Sequence, residues 1–133
     1  MEIPVDESLN IELPCELRSA GRARHDLEPF RALVGEARFG DLRFLASTLV
    51  TEVVRVLGNR PDESLRLRVE TDGQLVRVSV EAKGGADFVL PTEAKGNFSF
   101  SLYLIERLSE SRGVRREENG TTAWLEMALD GAR

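Results

Sequence analysis

The sequence predicts a two-layer α/β (α+β) sandwich, in which helices cover one face of a mixed, mostly antiparallel sheet. Three observations predict it. Apolar residues recur at helical spacing through Leu57 and alternate strictly after Asn59-Arg60-Pro61-Asp62. Two residue pairs that tight hairpins prefer, Asp72-Gly73 and Asn119-Gly120, interrupt the alternating runs. The resulting order is strand, helix, helix, hairpin, long loop, helix, hairpin, and it lets every helix lie on one side of a single sheet.

The run Ile11-Glu12-Leu13-Pro14 alternates and stops at a proline, which cannot donate to a ladder, so it reads as a short edge strand. From Cys15 to Val34 the spacing is helical, with Leu17, Ala20, Leu27, Phe30 and Leu33 as expected core residues. Pro29 removes a backbone donor and clashes with the preceding turn, which predicts a kink or restart near Glu28. Asp41 as N-cap and Gly58 as terminator bracket the next helix, whose apolar side is Leu42, Leu45, Leu49, Val53, Val56 and Leu57. Its other face carries Arg43, Thr48, Glu52 and Arg55, the last three aligned as a polar stripe.

Leu65, Leu67 and Val69 then alternate with Arg66, Arg68 and Glu70, and Val76, Val78 and Val80 alternate on the return strand. Asp72-Gly73 is expected at the centre of a type I′ turn, where both residues take positive φ. Residues Ala82 to Asn97 hold Gly84, Gly85, Pro91 and Gly96 without periodicity, the mark of a long loop of functional importance. A helix from Phe98 to Arg112 carries Leu102, Leu104, Ile105 and Leu108 on its apolar side and is expected to end at Gly113. Strands Val114 to Glu117 and Thr121 to Leu129 follow, joined through Asn119-Gly120. No internal repeat or low-complexity segment interrupts this plan.

Composition narrows the function. With 133 residues, 41% hydrophobic and 31% charged, the chain reads as one domain over 1–133 with a core of about 9–129. A net charge of -5 and the interspersed carboxylates argue against a nucleic-acid surface. One cysteine, Cys15, and one histidine, His25, make neither a disulfide nor a zinc site of the usual kind, and no Ser/His/Asp or Cys/His arrangement forms around them. No stretch reaches the apolar length of a membrane span, so a cytoplasmic location is expected.

Several blocks resemble the anti-sigma-factor serine-protein kinases, the RsbW/SpoIIAB-like family of the GHKL (histidine kinase-like ATPase, Bergerat fold) superfamily. Ile11-Glu12-Leu13-Pro14 followed by Gly21-Arg22-Ala23-Arg24 is similar to that family's first strand and Ala-Arg helix. Leu45-Ala46-Ser47-Thr48-Leu49-Val50-Thr51-Glu52-Val53-Val54-Arg55 resembles its helix reading L-A-V-S-E-L-V-T-N-A-V-R-H. Val78-Ser79-Val80 with Gly84, Leu102 to Val114, and Gly120-Thr121-Thr122-Ala123-Trp124-Leu125-Glu126 match later blocks. The likeness implies a Bergerat fold, dimerisation and a regulatory partner.

It also implies a vestigial nucleotide pocket formed by Thr48, Glu52, Ala82, Gly84, Ala86, Ser99, Ser101 and Thr121. In the family a glutamate acts as base, an asparagine one turn later binds Mg²⁺, and an aspartate accepts the adenine amino group. Here these positions read Thr48, Glu52 and Ala82. The glycine runs read Ala82-Lys83-Gly84-Gly85-Ala86 and Ser99-Phe100-Ser101-Leu102, so that only Gly84 and Thr121 survive. A threonine hydroxyl cannot replace a carboxylate base, so no catalytic residue is assigned, while Glu52 is an acceptable Mg²⁺ ligand. Glu81 should point away from the pocket, because adjacent strand residues face opposite sides. An adenine donor left unsatisfied costs about 1 to 3 kcal/mol, or roughly tenfold to hundredfold in affinity.

Two readings fit the Thr48, Glu52 and Arg55 stripe, a solvated helix face and the lining of a pocket. Phe98 and Phe100 fit either a cap on the core or a partner surface. The resemblance implies an anti-sigma-factor-like protein that binds a sigma factor or a STAS-type anti-anti-sigma factor, with ATP and Mg²⁺ binding lost or weak. The alternative is an active divergent serine-protein kinase that phosphorylates an anti-anti-sigma factor, with Glu52 holding the metal. A third is a pocket that takes another small ligand.

Overall fold

The computed structural model is described over residues 7–83, 100–118 and 120–129, with side chains over 8–82, 103–118 and 120–129. The chain order is β1 (Glu7–Cys15), α1 (Ser19–Asp26), a 3₁₀ turn (Glu28–Phe30), α2 (Arg31–Val34), α3 (Glu36–Leu57), β2 (Arg60–Thr71), β3 (Leu75–Lys83), α4 (Phe100–Leu108), β4 (Ser111–Glu117) and β5 (Gly120–Ala128). The strands form one sheet in the order β1-β2-β3-β5-β4. Among the described residues all four ladders are antiparallel, in keeping with the mostly antiparallel sheet and helix layer expected from the sequence.

Period two sorts the strand residues into two faces. On one face the register aligns Leu13, Leu65, Ala82 and Thr121, then Ile11, Leu67, Val80 and Ala123, then Leu9, Val69, Val78 and Leu125. Most of these are buried, and they join the apolar residues of the helices in one core cluster. The other face carries Glu12, Arg66, Glu81 and Thr122 in one row and Glu70, Arg77 and Glu126 in another. β1 lies at an edge and ends just after Pro14, where its register shifts, as its proline predicts.

The main helix is α3. Phe39, Leu42, Leu45, Ala46, Leu49, Val50, Val53 and Val54 are buried at three- and four-residue intervals, and α3 touches β2, β3 and β5 as well as α1. Gly58 ends it, with φ 85 and ψ 155, and its N–H bonds to Val54 O at 2.8 Å. That region of backbone space is open essentially to glycine alone. Pro29 acts as expected: α1 ends at Asp26, and the chain restarts through the 3₁₀ turn at Glu28.

Several sequence expectations are corrected. α3 begins at Glu36 after Gly35, not at Asp41, which lies inside the helix and bonds to Arg38 at 2.7 Å. Leu17, Leu33 and Val56 are 51%, 44% and 40% exposed and are not core residues. The first hairpin pairs Thr71 with Val76, which puts Gly73 and Gln74 at the tip, one residue beyond the pair read from the sequence. Gly73 has φ 92 and no described non-glycine residue has positive φ, so the turn has glycine alone on the left-handed side. Asp72 serves as an acceptor, its Oδ1 receiving the N–H groups of Gln74 at 2.8 Å and Leu75 at 3.0 Å.

α4 stops at Leu108, and Gly113, expected to end it, lies in β4 opposite Trp124. A Cβ on Gly113 would sit 2.9 Å from Trp124 Cζ2, so only glycine lets the indole lie across β4. In the second hairpin Glu117 pairs with Gly120, so Gly120 belongs to the strand and not to the turn. β3 continues through Ala82 to Lys83, residues read as the start of the long loop. The rest of that loop, with Phe98 and Asn119, lies outside the described residues.

Candidate functional site

Ala82 is the last described side chain of β3. Alternation puts it on the helix side, between Leu65 of β2 and Thr121 of β5, and it is 2% exposed. Thr121 is buried beside it. Glu81 stands between Arg66 and Thr122 on the opposite face and is half-buried. The carboxylate nearest in sequence to Ala82 therefore faces the other side of the sheet, as period two requires.

Thr48 and Glu52 lie one turn apart on α3, and both are buried. Arg55 is exposed, and its Nη1 lies 3.4 Å from Glu52 Oε2. The solvated-face reading of this stripe therefore holds for Arg55 and is corrected for Thr48 and Glu52. A carboxylate taken from water needs a compensating charge, and Arg55 supplies one at a distance longer than the 2.7 to 2.9 Å typical of a strong charge-assisted bond. Arg43 packs over Phe39, 5.1 Å from the ring centroid. Among the described residues no three His, Cys, Asp or Glu side chains gather where a metal ion would fit, and Glu52 is the carboxylate of the predicted set.

The structure thus joins Ala82 to Thr121 as ladder partners and places Thr48 and Glu52 on one buried face of α3. Ser101 falls in the first turn of α4, and its side chain is outside the described set. Gly84, Ala86 and Ser99 lie outside the described residues. His25 is exposed on α1. Cys15 is buried with its thiol toward Gly58 O at 3.6 Å, and burial above all pushes its pKa up, the opposite of an activated nucleophile.

Sequence reasoning missed the open face of the sheet. Arg77 lies over Trp124 with Cζ 4.7 Å from the ring and its Nε 3.7 Å from Glu126 Oε2. The signal in the sequence is Gly113, a glycine that also fits a strand where a large side chain crosses closely, here Trp124. At the far end of β3 from Ala82, a shallow cleft of about 160 Å³ is lined by Glu70, Thr71, Asp72, Leu75 and Arg77.

The five-stranded antiparallel sheet, with α3 packed against β2, β3 and β5, has a counterpart of similar fold among solved structures. The particular likeness is to the crystal structure of the RsbU and RsbW domains of Rv1364c from Mycobacterium tuberculosis. The two agree with a TM-score of 0.61 and 22% sequence identity over 92% of this chain and 32% of that one. This chain therefore spans about a third of the protein it matches, and the likeness is one of fold. No protein-family model matches the chain, and no curated protein matches it. No helix among the described residues is long and apolar enough to cross a membrane.

Proposed function

We propose that this chain is a single cytoplasmic regulatory domain of the anti-sigma-factor type. It binds a protein partner, a sigma factor or a STAS-type anti-anti-sigma factor, as a homodimer and without transferring phosphate. The observation that carries the reading is Ala82. Its methyl group is 2% exposed and Glu81 is turned to the other face, and the sequence resemblance implies a carboxylate at this position in relatives that bind ATP. Thr48 adds to it, since a hydroxyl there cannot act as general base. The RsbW domain named for the matched structure supports a protein partner as the ligand class.

Buried Glu52 favours a second reading, a divergent serine-protein kinase, because it keeps one carboxylate suited to Mg²⁺ inside the helix layer. One experiment separates the two. The purified chain is mixed with sigma-factor and anti-anti-sigma candidates encoded beside it, with and without labelled ATP and Mg²⁺, and resolved by size. A complex that forms equally without nucleotide, with no label transferred, is expected. Label on the partner that disappears in Glu52→Ala would replace this reading with the kinase, and no complex with any candidate would remove both.

A further inference from the structure

The two edges of the sheet are built differently. β1 ends just after Pro14 with a register shift beside it, both of which obstruct the addition of another strand at that end, and its charged residues, Glu7 and Glu12, repel an acidic one. β4, at the other edge, runs in unbroken register from Ser111 to Glu117, contains no proline, and among the described residues pairs with β5 alone. It holds Arg112, Arg115 and Arg116 against Glu117, a net +2 (three arginines, one glutamate) in a chain of net charge -5.

Period two distributes these arginines to both sides of the edge. Arg115 shares the face of Thr122 and Glu81, and Arg112 and Arg116 share the face of Leu125 and Thr121. Arg112 pairs with Glu106 at 3.2 Å and Arg115 with Glu117 at 3.3 Å, in exposed pairs that contribute little and exchange readily for other carboxylates.

We propose that the outer edge of β4 takes an extended acidic segment of a partner protein as a sixth strand. Main-chain hydrogen bonds to β4 supply affinity. Alternate carboxylates of the segment meet Arg115 on one side and Arg112 or Arg116 on the other, which sets specificity and register. Charges on an edge also guard it against unwanted pairing, and a guard of arginines repels basic strands while admitting acidic ones. The proposal deepens the partner-binding reading and rests on it.

The test uses the full chain, labelled with ¹⁵N, and a blocked peptide of about nine residues in which adjacent glutamate pairs alternate with valine pairs, so that carboxylates face both sides of the strand, with lysine in place of glutamate as control. Saturable shifts centred on β4 are expected, with exchange of its outward amides slowed at least about tenfold at saturation. Affinity should fall at least about tenfold in the double variant R115E/R116E, checked by thermal melting to be folded, and again between roughly 50 and 500 mM salt.

Shifts centred elsewhere, equal binding of the lysine peptide, unchanged affinity in R115E/R116E, or no binding up to about 1 mM peptide would overturn it. So would protection of β4 that grows with protein concentration alone, since a second copy would then occupy the edge. Partner co-elution that survives R115E/R116E would remove the edge assignment and leave the partner-binding reading standing.

Discussion

The helix-covered and open faces of the sheet use the same five strands and alternate residue by residue, yet they respond to different physics. On the covered face Leu67, Val78, Val80 and Leu125 are fully buried, and across β2, β3 and β5 the ladder neighbours are apolar except near the ends, where Thr71 and Thr121 lie; at the β4 edge Leu125 pairs with Arg112. On the open face Glu12 lies 3.7 Å from Arg66, and Arg77 lies 3.7 Å from Glu126. Such exposed pairs contribute little, whereas a buried leucine contributes about 1.5 to 3 kcal/mol. The covered face carries the stability, and it also holds the one alanine on which the functional reading turns. The methyl group of Ala82 makes the end of β3 continuous with the rest of the core.

The contrast is sharpest at adjacent residues of β2. Leu67→Ala, at a fully buried position, should cost about 2 to 5 kcal/mol in urea unfolding. Arg68→Ala, exposed on the other face, should change stability by no more than about 0.5 kcal/mol. Equal losses would break the two-face account.

Gly113 is where the open face should behave like the core. Its Cβ position lies 2.9 Å from Trp124 Cζ2, so Gly113→Val must move the indole and should cost about 1 to 3 kcal/mol, with a shift in Trp124 fluorescence. An unchanged emission spectrum would show that the ring does not lie across β4.

The smallest effect is expected at the hairpin tip. The Leu75 and Gln74 N–H groups hold the Asp72 carboxyl below the usual carboxylate range. The folded chain therefore ionises at lower pH than the unfolded one. The stabilisation is complete above the ordinary carboxylate pKa and is lost as pH falls through the depressed folded value. The Tm advantage over Asp72→Asn should be full near about pH 6 and shrink toward about pH 2. An advantage that grows on acidification would contradict this role.

The alternating runs made β2 and β3 legible, and the same alternation gave the orientation of Ala82 and Glu81. The body of α3 was legible from its apolar spacing. Its start was not, because Gly35 opens it without a side-chain cap while Asp41, a favourable cap by type, is committed to Arg38. Gly113 misled for a related reason: glycine ends helices and also permits close approach, and only the tertiary position of Trp124 decides between them. The burial of Thr48 and Glu52 was hidden because polar residues at helical spacing look the same whether a sheet or solvent lies beyond them.

The central claim is that the end of β3 no longer accepts a purine, and titrating ATP with Mg²⁺ into the full chain by calorimetry tests it most directly. No saturable heat below about 1 mM nucleotide is predicted. Saturable binding at low micromolar concentration would contradict the account.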